Sequence, residues 1–328
     1  MSEPSPSPAT TAPEAAPADG KKPMSNLAQR VIFGVIGAVL LLGSVWFSAW
    51  SFALFFAAVQ AKMLLEFYRM MRAGGYQPAK WLGLLVSLLL FLGASCIVFG
   101  TTYLASTGDV PHVVGGEVIF QSRMNAELYG AGLWLRKLLP AVLLLTPIVL
   151  VGIEMRRWPK VEQPFVNVGT TLLGLVYVSL PMTLLNVVAD GPNGYDYRRI
   201  FALLFLVWCS DIGAYAAGKT FGKHKLAPSI SPGKTWEGAI GGFLLTLVMG
   251  WALGFWLLDM TLAYRLVAAG TVAIFGPLGD LAESMLKRSV DVKDSGTIMP
   301  GHGGLLDRFD AFLFILPVLA LLQLLFGA

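Results

Sequence analysis

Polar positions in this chain come in short clusters between long apolar runs. The first run, from Val31 to about Met71, covers roughly 40 residues, twice what one membrane crossing needs. It predicts two helices with a turn near Trp46 to Trp50, where aromatic side chains suit a membrane–water interface. Further runs at about 81–104, 138–153, 167–188, 200–218, 237–257, 262–280 and 309–326 bring the expected count to nine spans. Pro147, Pro181, Pro277 and Pro317 fall inside these runs, which membrane helices tolerate when neighbours satisfy the freed backbone groups. The expected fold class is therefore an all-α integral membrane protein.

Composition agrees. Of 328 residues, 55% are hydrophobic and 13% charged, against roughly 25% charged in a soluble domain. The net charge of +4 needs no nucleic-acid partner, because its placement explains it. With nine spans and the N-terminus inside, eighteen of the 24 Lys and Arg residues fall in alternate, cytoplasmic segments, the positive-inside pattern. Residues 1–25, rich in Pro, Ala, Ser and Thr, should form a disordered cytoplasmic tail. The first apolar run comes too late and is too long for a cleaved signal peptide, so it should remain as a membrane helix. The region 26–136 reads as N-terminal membrane helices plus a periplasmic loop at about 105–135, in which no chemistry is legible. Cys96 and Cys209, far apart inside apolar runs, read as inert thiols. Glu66 and Glu154, near helix ends, read as solvated.

One stretch departs from the rest. Residues 280–310 contain Asp280, Glu283, Asp291, Asp294, Asp307 and Asp310, interleaved with Lys287, Arg288, Lys293, His302 and Arg308. Such a mixture beside membrane helices points to function. Asp280, Glu283, Ser284 and Lys287 share one face of a predicted helix. Asp307 and Asp310, spaced i, i+3, follow Gly303-Gly304, where a second helix should begin and backbone N–H groups could meet a phosphate. Mg²⁺ takes a few carboxylates plus substrate oxygens, and Asp280, Asp307 and Asp310 are the carboxylates offered, with room for a second cation. Lys287, Arg288, Lys293 and Arg308 would neutralise phosphates. The residues by themselves thus indicate Mg²⁺-dependent phosphate chemistry at a cytoplasmic membrane face.

The motif Ser284-x-x-Lys287-Arg288-x4-Lys293-Asp294, continuing to Pro300-x-His302-Gly303-Gly304-x-x-Asp307-Arg308-x-Asp310, resembles the signature of phosphatidate cytidylyltransferases (CDP-diacylglycerol synthases). Met299 stands where that family more often has Leu, Ile or Phe, and Asp291 falls at a variable position. Asp211-x3-Tyr215-x2-Gly218-Lys219-x2-Gly222 and Ser231-Pro232-Gly233-Lys234-Thr235-x-Glu237-Gly238 resemble further segments of the same family. The resemblance covers residues 200–310 by motif and the earlier spans by hydropathy alone. It implies transfer of the cytidylyl group of CTP to phosphatidate, with pyrophosphate released, in a membrane-embedded catalytic region at 137–328 with cytoplasmic loops. It implies catalytic roles for Ser284, Lys287 and Asp310. Substrate or phosphate contacts would come from Lys219, Ser231, Lys234, Thr235, Arg288, Lys293, His302, Gly303, Gly304 and Arg308. Asp211, Glu237, Glu283 and Asp294 would support them. The bacterial inner membrane is the expected location, and a homodimer is allowed. Lys223, His224 and Lys225 read as a juxtamembrane cluster that attracts anionic lipid.

Competing patterns are present. Gly213-x4-Gly218-Lys219-Thr220 satisfies the P-loop spelling, but it follows an apolar helix where that motif needs a β-strand. Gly213 is better read as a point of close helix approach, and Gly218 and Gly222 as marking a helix end. Gly233-Lys234-Thr235 has Pro228 where the first glycine of a P-loop should be. Asp211 could simply pair with Lys219, and Asp280 and Asp307 with Lys287 and Arg308. As alternative functions, another Mg²⁺-dependent membrane phosphotransferase acting on a lipid or polyprenol phosphate fits the same residues, and an ion-coupled transporter fits them less well, since no paired repeat is visible.

Overall fold

Ser48 divides the first apolar run. In a computed structural model, which describes residues 26–106, 112–114, 117–119, 123–192, 194–296 and 303–326, α1 (Asn26–Phe47) stops at it and α2 (Ala49–Ala73) starts after it. The Ser48 hydroxyl accepts from the Ser51 N–H, and the Ser51 hydroxyl accepts from the Ser48 N–H. This reciprocal cap satisfies two of the donors that a helix start leaves open, within the turn predicted at 46–50.

Helix α3 (Lys80–Ser106) is followed by a small hairpin, β1 (His112–Val114) on β2 (Glu117–Ile119), and by α4 (Arg123–Arg157). The 105–135 segment is therefore not a plain loop. Met, Ala, Glu and Leu in the first turns of α4 are good helix formers but too polar as a group for a hydropathy scan to find. Next comes a run that changes pitch: α5 (Pro164–Gly174), a π-helical turn (Leu175–Ser179), α6 (Leu180–Thr183) and α7 (Leu185–Val188). Pro181 has no N–H to give, and the Leu180 N–H reaches back to the Leu175 carbonyl, the wider π spacing. Strands β3 (Asp190–Gly191) and β4 (Gly194–Tyr195) lead to α8 (Tyr197–Phe221). Strands β5 (Lys225–Ala227) and β6 (Ser231–Thr235) lead to α9 (Trp236–Ala252), then α10 (Leu262–Ser289) and α11 (Leu306–Phe326). Each of the three two-stranded sheets sits in a connection, so the all-α reading needs only that amendment.

Eight helical runs among the described residues are long and apolar enough to cross a membrane, and the apolar part of α1, Gly34–Phe47, is shorter. Nine spans were expected, with α1 as the additional one. The expected tail, residues 1–25, and His302 and Met299 lie outside the described residues.

Helix α2 is deeply enclosed, with Phe52, Phe56, Met63, Leu64 and Phe67 fully buried. Polar side chains join its neighbours to it. Gln60 donates to the Ser87 carbonyl and hydroxyl at 2.9 and 2.8 Å, Ser179 donates to Ser87 at 2.9 Å, and Tyr68 donates to the Thr171 carbonyl at 2.9 Å. Such cross-helix hydrogen bonds substitute for the hydrophobic drive that lipid removes. Glu154 belongs to this tier and is not solvated: it is 4% exposed and takes an ion pair from Arg157 at 2.5 Å. At the opposite end of the bundle, Arg199 donates to the Asp190 carbonyl at 2.5 Å and pairs with Asp259 at 3.2 Å. Burial raises the Asp190 carboxyl above its ordinary range, and the Arg199 charge opposes that rise.

Candidate active site

Small residues bring the four C-terminal spans close enough to form a site. A Cβ on Gly213 of α8 would stand 2.8 Å from the Gly241 carbonyl of α9, so the two backbones touch there. This is the role read for Gly213, and residues 213–220 are helical throughout, so no P-loop forms. On the other side, a Cβ on Gly279 of α10 would stand 2.6 Å from the Asp310 carbonyl of α11. That approach places the acidic face of α10 directly against the first turns of α11.

Oxygens of Asp280, Glu283 and Asp310 lie within 4.8 Å of one another. The sequence grouped Asp280 with Asp307 and Asp310 and kept Glu283 as support; the geometry exchanges Glu283 for Asp307. Asp307 is already saturated. It takes Lys287 at 2.8 Å, the Ser295 N–H and hydroxyl at 3.1 and 2.8 Å, and the Gly304 N–H at 2.8 Å. The Gly304 N–H expected to face a phosphate is thus used inside the protein. Gly303 turns the chain at φ +83°, a conformation that favours glycine. Glu283, 1% exposed, pairs with Lys287 at 2.5 Å, while its Oε1 has no hydrogen-bond partner among the described residues. A buried carboxylate oxygen in that state fits a missing cation. Tyr177, on the π-helical turn, likewise has a buried hydroxyl without a hydrogen-bond partner among the described residues; the widened turn that carries it left no signal in the sequence.

The fixed cations are arranged around these acids. Lys234, carried by β6, pairs with Asp280 at 2.5 Å and donates to the Pro277 carbonyl at 3.2 Å. Ser284 donates to Asp280 at 3.3 Å. Asp280, Asp310, Asp307, Arg308, Lys234, Thr235, Asp211 and Lys219 line a cleft of about 1270 Å³. The same cleft is lined by apolar side chains of α1 and α2 (Ile36, Leu40, Leu41, Phe55, Val59) and by Lys62. Asp211 and Lys219 both border the cleft, and Lys219 lies over the Tyr215 ring at 5.6 Å. A second hollow of about 400 Å³ is lined by Ser284, Lys287, Arg288, Asp291 and Lys293.

Other expected residues stand apart. Thr235 also caps α9 by accepting from the Gly238 N–H. Glu237 accepts from the His224 backbone and ring, so it ties β5 to α9 outside the cleft. Ser231 closes the β5–β6 pairing opposite Ala227, Arg288 donates to the Ile230 carbonyl at 2.6 Å, and Asp294 is exposed near Gly303. Glu66, read as solvated, is 1% exposed and accepts from the Leu306 N–H at 2.9 Å, where α11 begins. No short-range pattern could reveal that contact, since its partners are separated by 240 residues.

Comparison with known proteins places these residues in a wider context. The sequence model of the Cytidylyltransferase family matches residues 28–326. The phosphatidate cytidylyltransferase of Bacillus subtilis (strain 168) is 34% identical over 307 residues, covering 93% of this chain and 100% of that relative. Those of Staphylococcus haemolyticus (strain JCSC1435) and Staphylococcus aureus (strain COL) are 44% and 42% identical over 160 and 159 residues, covering 48% of this chain and 60% of each relative.

Proposed function

The chain belongs to the cytidylyltransferase family, and on that premise we propose that it joins the cytidylyl group of CTP to phosphatidate, giving CDP-diacylglycerol and pyrophosphate. The observation that carries the reading is the cleft itself. Its lining combines apolar side chains of α1 and α2 with Asp280, Asp310, Lys234 and Arg308. A substrate with acyl chains and a phosphate is matched by such a mixed lining, and an aqueous nucleotide alone is not.

In this reaction an oxygen of the lipid phosphate forms a new bond to the α-phosphorus of CTP, and the bond to the leaving pyrophosphate breaks. Phosphoryl chemistry of this kind asks the protein mainly for positioning and charge. Lys234 and Arg308 border the cleft and would hold phosphate oxygens. Lys287, held between Glu283 and Asp307, brings a further cation to the junction of α10 and α11. Asp280, Glu283 and Asp310 would hold Mg²⁺, and the unpartnered Glu283 Oε1 is the observation that favours this set. Bound there, Mg²⁺ would offset negative charge on the phosphates. The side proposed for the site is cytoplasmic, supported by the eighteen-to-six partition of basic residues. The bacterial inner membrane, anionic lipid held by Lys223, His224 and Lys225, and a homodimer remain part of the proposal.

Purified protein given radiolabelled CTP and phosphatidate should form labelled CDP-diacylglycerol and release one pyrophosphate per product. Transfer of the γ-phosphate to lipid instead, with CDP released, would identify a lipid kinase and overturn the reading.

A further inference from the structure

We infer that Glu66 is a positioning residue for the catalytic end of the bundle: a carboxylate from α2 that fixes where the first turns of α11, and so Asp307 and Asp310, stand. Its consequence for turnover rests on the transferase reading above; its geometry does not. Glu66 Oε2 accepts the Leu306 N–H at 2.9 Å. Leu306 opens α11, whose first backbone N–H groups have no acceptor within the helix. A cap ordinarily comes from the side chain just before the helix, but Leu305 has no side-chain acceptor. The missing acceptor is delivered across space from α2, where a carboxylate also meets the positive end of the helix.

The carboxylate is enclosed. A Cβ added to Gly296 would collide with Glu66 Oε1, and one added to Gly304 would collide with Oε2. Beyond this seat the Gly304 N–H donates to Asp307, and Asp307 holds Lys287, which holds Glu283. A connected path of polar contacts therefore runs from α2 through the start of α11 to α10. Lys62, one turn before Glu66, stands 3.5 Å from Oε1 and borders the main cleft. A charge this deeply buried is costly, and packing alone would be served as well by a neutral side chain of the same shape.

The test compares Glu66→Ala and Glu66→Gln in full-length protein, reading kinetics, Mg²⁺ binding by calorimetry and amide exchange. For Glu66→Ala we expect at least a tenfold loss in kcat, KM for CTP within about twofold, weaker Mg²⁺ binding, and faster exchange confined to residues 303–311. Glu66→Gln keeps an acceptor for Leu306, so its kcat should fall only about threefold. Wild-type kcat and exchange at 303–311 in Glu66→Ala would overturn the inference. So would exchange that rises equally through α2, α3 and α5, the mark of general destabilisation. Should Glu66→Ala not fold, Glu66→Met, which fills the space but removes the acceptor for the Leu306 N–H, decides: faster exchange at 303–311 alone supports positioning, and unchanged exchange there overturns it. If the wild-type protein proves inactive with CTP, the exchange comparison still answers for Glu66 while the functional reading fails.

Discussion

Asp307 and Asp310 lie one turn apart on α11, yet their surroundings separate their work. Asp307 spends its oxygens on Lys287, Ser295 and Gly304, whereas Asp310 shares a space with Asp280 and Glu283. Replacing Asp by Asn keeps the shape and removes the charge, so Asp280→Asn and Asp310→Asn should each lose at least about a hundredfold in turnover, about 2.7 kcal/mol. Their Mg²⁺ half-saturation should rise as well. Asp307→Asn should lose turnover by releasing Lys287 and the loop, with a smaller shift in Mg²⁺ dependence. Asp291, an exposed residue at a variable position of the motif, should tolerate Asn within a few-fold. CDP-diacylglycerol formed per folded enzyme across a Mg²⁺ titration checks all four, and wild-type behaviour of Asp280→Asn and Asp310→Asn would remove the metal assignment. The face of α10 was legible because i, i+3, i+4, i+7 spacing fixes it. The choice between Glu283 and Asp307 was not, because it depends on where Ser295 and Gly304 deliver their donors.

Helices α8 and α9 approach until Gly213 meets the backbone of Gly241, and α10 meets α11 at Gly279. The spans were readable from hydropathy, and Gly213 as a contact point followed from its place in an apolar run. Partner choice was not readable, since any small residue in any span could have served. Added bulk at such a contact forces the backbones apart, a cost of roughly 1–3 kcal/mol. Gly213→Leu should therefore unfold at a temperature several degrees lower in detergent and lose most activity, as α9 carries Lys234 on the strand before it. Gly169→Ala on α5, where an added Cβ meets nothing within 4 Å, should leave both unchanged. Equal melting of Gly213→Leu and wild type would remove the close-packing account. The π-helical turn at Leu175–Ser179 escaped the sequence because Pro181 marks a disturbance without saying which one.

Across the whole molecule, the polar site lies at one end of the spans and the Arg199–Asp259 cluster at the other. The basic-residue bias is what supports the proposed cytoplasmic side for the site. With Cys96 and Cys209 replaced by Ala, a cysteine at exposed Ser229 should react only from the cytoplasmic side, and one at exposed Leu258, beyond the far end of α9, only from outside. Labelling in the reverse sense in intact cells would invert the topology. Hydropathy, charge bias and motif spacing are properties of neighbouring residues, so the chain by itself determined the membrane class, the span order, the acidic helix face and the family resemblance. What only the tertiary structure decided are contacts between distant segments: Glu283 beside Asp310, Lys234 on Asp280, and Glu66 buried at the start of α11. Those pairings depend on which helices touch, and that is settled by small residues and cross-helix hydrogen bonds spread over the entire bundle, which no local pattern encodes.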